Sequence, residues 1–305
     1  MTSLKRKDFR LLMLLGLGQT SQVYLAEAPG LGQVALKLPR KEVRQDPRLA
    51  ERFAREVSLS LSLKHPHLVQ GLAGIPFGEE IFLALEYFPQ GTLEARLLES
   101  RLPLEEAVKA LTQVGEALLY LHQKGLLHQD VKPSNVFVGD GVYKLGDLGT
   151  LRPILDRGAE YAGSPHYLAP ELFLGGLPSE KSEAYAFGVM AYELLTGKRP
   201  FEGETLEELR DAHLFLPPPP TDLPPAWTRP CGGFFPKNPR SALTSRLFWI
   251  SCAPTKGRPN RKTTPHPRGA FTFGSKEEPH GTRLVSLGRA GAGHPAFSLH
   301  GNPRL

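Results

Sequence analysis

The chain has 305 residues, of which 40% are hydrophobic and 22% are charged; this is the composition of a folded globular protein and excludes a fibrous or wholly disordered chain. The formal net charge of +6 is unevenly spread, because residues 227–305 hold 13 Lys and Arg against two acidic residues, whereas residues 1–226 hold 24 against 29. No apolar run approaches the ~18 residues of a membrane span, and cysteine occurs only at Cys231 and Cys252, so we expect a cytoplasmic protein without a disulfide framework in its first 226 residues.

The N-terminal segment combines three basic residues with an apolar run at residues 11–15. Followed by Ala26-Glu27-Ala28, this order is similar to that of a secretory signal. The run is short, however, and Gly16 and Gly18 interrupt it. We therefore interpret the segment as a first strand that enters a glycine-rich loop.

That loop, from Leu15 to Val23, has the spacing G-x-G-x-x-S-x-V, with Ser21 in the position of a third glycine. Glycines at 16 and 18 would allow the backbone to approach phosphate groups that a Cβ would obstruct. An ordinary hairpin turn is the alternative for so short a pattern. The alternating residues 33–38 then predict a strand that carries Lys37 near its end.

A helix is predicted at residues 48–64, and it offers two carboxylates as partners for Lys37. Glu56 is preferred over Glu51 because it has the usual spacing from Lys37 and precedes an apolar face. Further on, residues 81–85 predict a buried strand. It leads into a short segment at 86–91 that ends in a Pro/Gly turn.

The most informative segment is the octapeptide at residues 128–135, which follows a predicted helix at 103–124. Asp130, Lys132 and Asn135 place a potential base, a cation and a metal-binding amide within one short loop. Asp147, twelve residues after Asn135, adds a second oxygen ligand. A base, two oxygen ligands for Mg²⁺ and a strand lysine are the parts that phosphoryl transfer from ATP requires.

In this order and spacing, the motifs resemble those of the eukaryotic-like Ser/Thr protein kinases over about residues 9–213. The matching blocks include the glycine-rich loop, Val34–Lys37, the octapeptide, Asp147–Gly149, the segment 163–171 and the segment 181–201. The resemblance implies a bilobal α+β fold with a small, mostly β N-lobe (9–85), a hinge (86–91) and a larger, mostly α C-lobe (92–226). Residues 1–8 would be an N-terminal extension.

The resemblance also implies a role for each matched residue. Asp130 would accept or orient the proton of the substrate hydroxyl, Lys132 would neutralise the transferring phosphoryl group, and Asn135 and Asp147 would hold Mg²⁺. The implied nucleotide-binding residues are Leu15, Gly16, Gly18, Val23, Ala35, Lys37, Glu56, Glu86 and Phe88, with Leu85 as gatekeeper. ATP and Mg²⁺ are the implied cofactors, and a protein with an accessible Ser or Thr is the implied partner, since Lys132-Pro133 resembles the Ser/Thr branch.

Two departures from the family pattern carry predictions of their own. Gln129 replaces an arginine that binds an activation-loop phosphate in the family, so we expect that phosphorylation of Thr150, Tyr161 or Ser164 is not the main switch. In the family, an aspartate fixes the backbone of the catalytic loop, which corresponds to the octapeptide 128–135 in this chain. Glu183 stands in the position of that aspartate. Its extra methylene would threaten that anchor.

The family pattern stops at a proline-rich segment, 217–225, and residues 227–305 show no sustained periodicity. This basic tail has three interpretations: a disordered arm that binds nucleic acid or an acidic surface, a zinc site, or an out-of-frame translation product. The abrupt change in composition favours the third, and the cysteine spacing disfavours the second. Without the helices that close the family's C-lobe, we expect Tyr192, Leu195 and Phe201 to lose their cover.

The leading functional interpretation is therefore an ATP- and Mg²⁺-dependent Ser/Thr protein kinase. A nucleotide-binding pseudokinase or scaffold with an incomplete C-lobe is the alternative, and a nucleic-acid-associated protein is the less favoured third. The presence of Lys37, Asp130, Asn135 and Asp147 together favours the enzyme, because a pseudokinase of this family usually lacks one of them.

Overall fold

The computed structural model describes residues 4–156 and 163–222. Tyr161 and the whole basic tail, with the three interpretations of it, lie outside the described residues. Within the described part of the chain, no helix is long and apolar enough to cross a membrane.

The N-lobe is built on a five-stranded antiparallel sheet in the order β1-β2-β3-β5-β4. Its strands are β1 (Arg10–Leu17), β2 (Ser21–Ala28), β3 (Gly32–Pro39), β4 (Gly71–Ile75) and β5 (Phe82–Glu86). The N-terminal apolar run thus lies in β1, as the strand interpretation predicted. The register pairs Val23 with Lys37 and Leu25 with Ala35, so Val23, Ala35 and Lys37 share one face of the sheet because side chains alternate along a strand.

One helix of the N-lobe directs a carboxylate toward that face. After the short α1 (Lys41–Gln45), α2 (Pro47–Ser62) begins at an Asp46 side chain that accepts hydrogen bonds from two backbone N–H groups of the first turn. Phe53 and Val57 of α2 pack in one buried cluster with Leu83 of β5. This packing turns Glu56 inward, and only 6% of its surface stays exposed.

The C-lobe is mostly helical, with short strand pairs next to the lobe boundary. Its helices are α3 (Leu93–Glu99), α4 (Leu104–Gln123), α5 (Pro170–Phe173), α6 (Glu180–Thr196) and α7 (Leu206–Phe215), and its strands are β6 (Leu126–Leu127), β7 (Val136–Gly139), β8 (Val142–Leu145) and β9 (Arg152–Pro153). Residues of α4 and α6 share one large buried core, and α6 ends at Gly197 with a φ of 80°. The bilobal α+β fold is confirmed.

The expectation that three apolar side chains of the C-lobe lose their cover is wrong. Tyr192, Leu195 and Phe201 are all buried. The Phe201 ring lies 4.7 Å from the ring of His213 in α7, and the Tyr192 hydroxyl donates to the carbonyl of Pro219. Residues 206–222 therefore supply cover that the sequence pattern did not reveal.

Candidate active site

The two lobes meet at a cluster of three charged side chains from distant parts of the chain. The Lys37 ammonium in β3 donates to Glu56 Oε1 in α2 at 2.5 Å and to Asp147 Oδ1 at 3.2 Å. Glu51, the competing partner for Lys37, lies instead 3.9 Å from Arg55 on the exposed side of α2. The structure thus brings together the strand lysine, the preferred helix glutamate and a predicted metal ligand.

The electrostatics of this cluster keep Lys37 charged. Burial alone would lower the pKa of Lys37, but the nearby carboxylates of Glu56 and Asp147 outweigh it and raise that pKa. Burial raises the pKa of Glu56, although Lys37 opposes the shift. The positive charge of Lys37 lowers the pKa of Asp147. Asp147 therefore carries a negative charge at neutral pH.

The glycine-rich loop lies at the β1–β2 turn, at the edge of the sheet face that carries Val23, Ala35 and Lys37. Gly18 donates its N–H to the Ser21 carbonyl at 2.8 Å. A Cβ on Gly16 would meet no atom within 4 Å, whereas one on Gly18 would lie 3.3 Å from the Ser21 carbonyl oxygen. The backbone at Gly16 is thus open to a phosphate group. Leu15 is 38% exposed and lies beside this opening.

The end of β5 and the segment after it lie at the other side of this face. Glu86, the last residue of β5, donates its N–H to the Gln70 carbonyl at 3.0 Å and lies opposite Val34 of β3. Among the described residues, nothing accepts a hydrogen bond from the N–H of Phe88. Leu85 pairs with Ala35 across the sheet, which places it at the back of the same face.

An ion pair that sequence reasoning missed also joins the lobes here. The Lys144 ammonium in β8 donates to both carboxylate oxygens of Glu86, at 2.8 and 2.9 Å. A lysine three residues before Asp147 is the only signal that the sequence offers, and it does not identify the partner. The pair connects the end of β5 to the strand that leads to Asp147.

The Asp130 carboxylate lies at the centre of a network in which each neighbour donates. Oδ1 accepts from both the N–H and the hydroxyl of Ser164 at 3.0 Å, and Oδ2 accepts from the Asn135 amide at 3.0 Å and from Lys132 at 2.8 Å. Lys132 also donates to the Ser164 hydroxyl at 2.6 Å. Four donors around an acceptor-only group hold the ionised carboxylate in one orientation.

The oxygen atoms suited to a divalent cation belong to Asn135 and Asp147. The Asn135 amide nitrogen is occupied by Asp130, and neither Asn135 Oδ1 nor Asp147 Oδ2 accepts a hydrogen bond from the described residues. No group of three or more His, Cys, Asp or Glu side chains in the described chain forms a metal cage. Two protein oxygens fit Mg²⁺, which completes its octahedron with water and phosphate oxygens.

Glu183 anchors the catalytic loop despite its extra methylene. Oε1 accepts from the backbone N–H groups of His128 at 2.6 Å and Gln129 at 2.8 Å. The longer side chain lets Oε2 pair at the same time with the His122 imidazole of α4. The threat to the anchor is not realised, and His122 is a partner that sequence reasoning missed because α4 reads as an ordinary amphipathic helix.

Replacing Glu183 by the family's usual aspartate should therefore weaken this chain. The shorter side chain cannot reach the loop N–H groups and His122 together, so we expect a loss of about 1–3 kcal/mol in the free energy of unfolding and a lower kcat. Urea denaturation measures the first effect. Glu207→Asp on the exposed side of α7 is the matched control; equal stability of the two variants would contradict the anchoring role.

Two of the three phosphorylation sites named from the sequence, Thr150 and Ser164, are engaged in internal contacts. The Thr150 hydroxyl is buried and donates to the His128 carbonyl at 2.7 Å, and the Ser164 hydroxyl lies between Lys132 and Asp130. Gln129 is buried, and its Oε1 finds no hydrogen-bond partner among the residues that the structure describes. These contacts give a phosphate no bidentate cationic partner at position 129.

We therefore predict that phosphatase treatment changes the catalytic rate by at most about twofold, because the uncharged Gln129 cannot bind a phosphate as arginine does. The measurement compares the rates of treated and untreated protein after mass spectrometry has verified complete dephosphorylation. A large loss of activity would show that loop phosphorylation is the main switch.

The amino-acid sequence is similar to those of known proteins. The family model described as "Protein kinase domain" matches residues 9–222. Similar proteins are the serine/threonine-protein kinase pkn2 of Myxococcus xanthus (32% identical, over 70% of this chain and 27% of that protein), the serine/threonine-protein kinase PknA of Mycobacterium tuberculosis (35%, over 71% and 54%) and the Aurora kinase of Saccharomyces cerevisiae (34%, over 68% and 57%). The chain thus spans between about a quarter and three fifths of the length of these relatives.

Proposed function

Because this chain belongs to the eukaryotic-like Ser/Thr protein kinase family, we propose that it transfers the γ-phosphoryl group of ATP to Ser or Thr hydroxyls of other proteins. The observation that carries the proposal is the meeting of Lys37 and Asp147, 110 residues apart, at 3.2 Å. The oriented carboxylate of Asp130 lies on the adjoining catalytic loop. A cation, a metal ligand and a base are the groups that this reaction needs.

In the proposed reaction, Asp130 accepts the proton of the substrate hydroxyl as its oxygen attacks the γ-phosphorus of ATP. The bond from the γ-phosphorus to the β–γ bridging oxygen breaks, and ADP leaves with that electron pair. Lys132 stabilises the negative charge of the transferring group, and the Ser164 hydroxyl keeps Lys132 and Asp130 together. Asn135 Oδ1 and Asp147 would hold Mg²⁺, which when bound neutralises charge on the phosphates. Lys37 is oriented toward the same phosphates by Glu56.

The nucleotide would lie between the glycine-rich loop and the face of Val23 and Ala35. We propose that the Glu86 carbonyl and the Phe88 N–H bind adenine. The N–H of Phe88, which has no partner among the described residues, supports this assignment. Leu15 would cover the base from the loop side, and its exposed side chain would then lose water contact.

The choice of Ser and Thr over Tyr rests on Lys132, which contacts both Asp130 and Ser164. Incubation of the purified full chain with γ-labelled ATP and a basic protein substrate, followed by phosphoamino acid analysis, tests the proposal. Labelled phosphoserine or phosphothreonine that is absent with Asp147→Asn would support it. Phosphotyrosine alone, or equal labelling by both proteins, would contradict it.

We also propose a cytoplasmic location, supported by the lack of cysteine in residues 1–226. Fractionation of cells that express the tagged chain tests this proposal. Recovery of the chain outside the cytoplasm would contradict it.

A further inference from the structure

A hydrogen bond joins Arg52 of helix α2 to the turn after Asp147. Arg52 lies one helical turn before Glu56, and its Nε donates to the carbonyl oxygen of Gly149 at 3.1 Å. Gly149 lies directly against the same helix, because a Cβ there would come within 3.0 Å of Glu56 Oε2. Arg52 therefore bonds the backbone of a turn that packs closely against Glu56.

That turn has a conformation that needs outside support. Asp147 adopts φ 55° and ψ 64°, a left-handed conformation that costs energy for residues with a Cβ, although aspartate tolerates it better than most of them. The next three residues, Leu148–Thr150, form a single 3₁₀ turn. On the C-lobe side, the Thr150 hydroxyl donates to the His128 carbonyl at 2.7 Å. On the N-lobe side, Lys37 pairs with the Asp147 side chain, and Arg52 holds the backbone of the turn through the Gly149 carbonyl.

We propose that Arg52 is a positioning residue that holds the Asp147 turn against helix α2 and so places the metal-binding carboxylate. This inference rests on the proposed kinase function. It also explains how the turn keeps its place in a chain where Gln129 has no charge to bind a phosphate. A direct bond from an arginine to a backbone carbonyl makes the connection without any modification.

A second arginine of α2, Arg55, supplies the control. Arg55 lies on the same helix and is exposed, and its nearest partner is Glu51 at 3.9 Å, which is a weak surface pair. Arg55→Ala therefore removes an arginine from α2 without touching the Asp147 turn. Arg52→Gln tests rescue, because a glutamine amide can still donate to a carbonyl oxygen at shorter reach.

The experiment compares wild type, Arg52→Ala, Arg52→Gln and Arg55→Ala as full-length proteins. Hydrogen exchange of the amides of residues 147–151 is the first readout, and it needs no activity. We expect about 3- to 10-fold faster exchange in Arg52→Ala, because that substitution removes one hydrogen bond. Exchange should increase less in Arg52→Gln and should not change in Arg55→Ala. The melting temperatures of the four proteins should be similar.

The second readout is the Mg²⁺ concentration that gives half-maximal nucleotide binding. A fluorescent ATP analogue reports this binding. Arg52→Ala should require more Mg²⁺, and its kcat should fall by about 3- to 10-fold with a smaller change in KM for the protein substrate. Identical exchange and Mg²⁺ dependence in Arg52→Ala and Arg55→Ala would overturn the proposal.

These measurements separate the failure of the two proposals. If wild type phosphorylates no substrate, the kinase proposal fails, but exchange and Mg²⁺-dependent ATP binding still decide whether Arg52 positions the turn. If wild type is active and Arg52→Ala matches it in every readout, only the role of Arg52 is lost.

Discussion

Replacing Asp130 by Asn is expected to lower kcat for protein phosphorylation by about 10²- to 10⁴-fold, the contribution of a positioned general base. An amide cannot take the proton of the substrate hydroxyl. Its NH₂ group would also face either the Ser164 donors or those of Asn135 and Lys132, because all four contacts of the carboxylate come from donors. The measurement is the rate of γ-phosphoryl transfer at saturating ATP and substrate.

The matched control for this change is Asp140→Asn. Asp140 is exposed and has a φ of 48°, which asparagine tolerates as well as aspartate does. That variant should keep the wild-type rate. An Asp130→Asn protein that does the same, with an unchanged circular dichroism spectrum, would refute the role of Asp130 as the base.

Replacing Lys37 by Met is expected to abolish measurable phosphoryl transfer and also to destabilise the N-lobe. The substitution removes the cation that orients the ATP phosphates, and it leaves the Glu56 carboxylate buried without its partner. Breaking a buried ion pair on one side costs about 3–5 kcal/mol in the free energy of unfolding. Guanidinium denaturation measures this loss, and Lys41→Met at an exposed position is the control.

The loss of stability in Lys37→Met should depend on pH. Burial raises the pKa of Glu56 in the folded protein, and removal of Lys37 raises it further. The folded state then binds the Glu56 proton more tightly than the unfolded state, so stability falls as pH rises from about 4.5 through the raised pKa. The variant should therefore approach wild-type stability in acid and differ most from it at neutral pH and above.

A second substitution separates the two effects of Lys37→Met. In Lys37→Met/Glu56→Gln the uncompensated charge is gone, so most of the stability should return. Activity should not return, because the amine that binds phosphate is still missing. If the double variant were as unstable as the single one, the ion pair would not be the cause of the loss.

The local elements of this protein could be predicted from its sequence because each depends on a few neighbouring residues. Alternation at residues 33–38 predicted β3 to within a residue or two, and the apolar period of residues 103–124 predicted α4. Gly125, with a φ of 73°, follows the end of α4, where glycine adopts a left-handed conformation without strain. Helix α2 begins one residue before the predicted start, because Asp46 caps it and Pro47 suits its first turn.

The burial of the C-lobe could not be predicted in the same way. Tyr192 and Phe201 were expected to be exposed, yet α7 and the segment that contains Pro219 cover them. Which surfaces meet depends on the path of the chain over many residues. The exposed apolar side chains near the end of the described region are instead Phe215 and Leu216.

The sequence by itself determined which chemical groups are present and in what order, because the motif residues carry their chemistry in their side chains. Tertiary structure alone decided which groups meet. Lys144 with Glu86, His122 with Glu183 and Arg52 with Gly149 are long-range contacts across elements. Neither periodicity nor spacing encodes such contacts, because they arise from how whole helices and strands pack and not from the residues beside them in the chain.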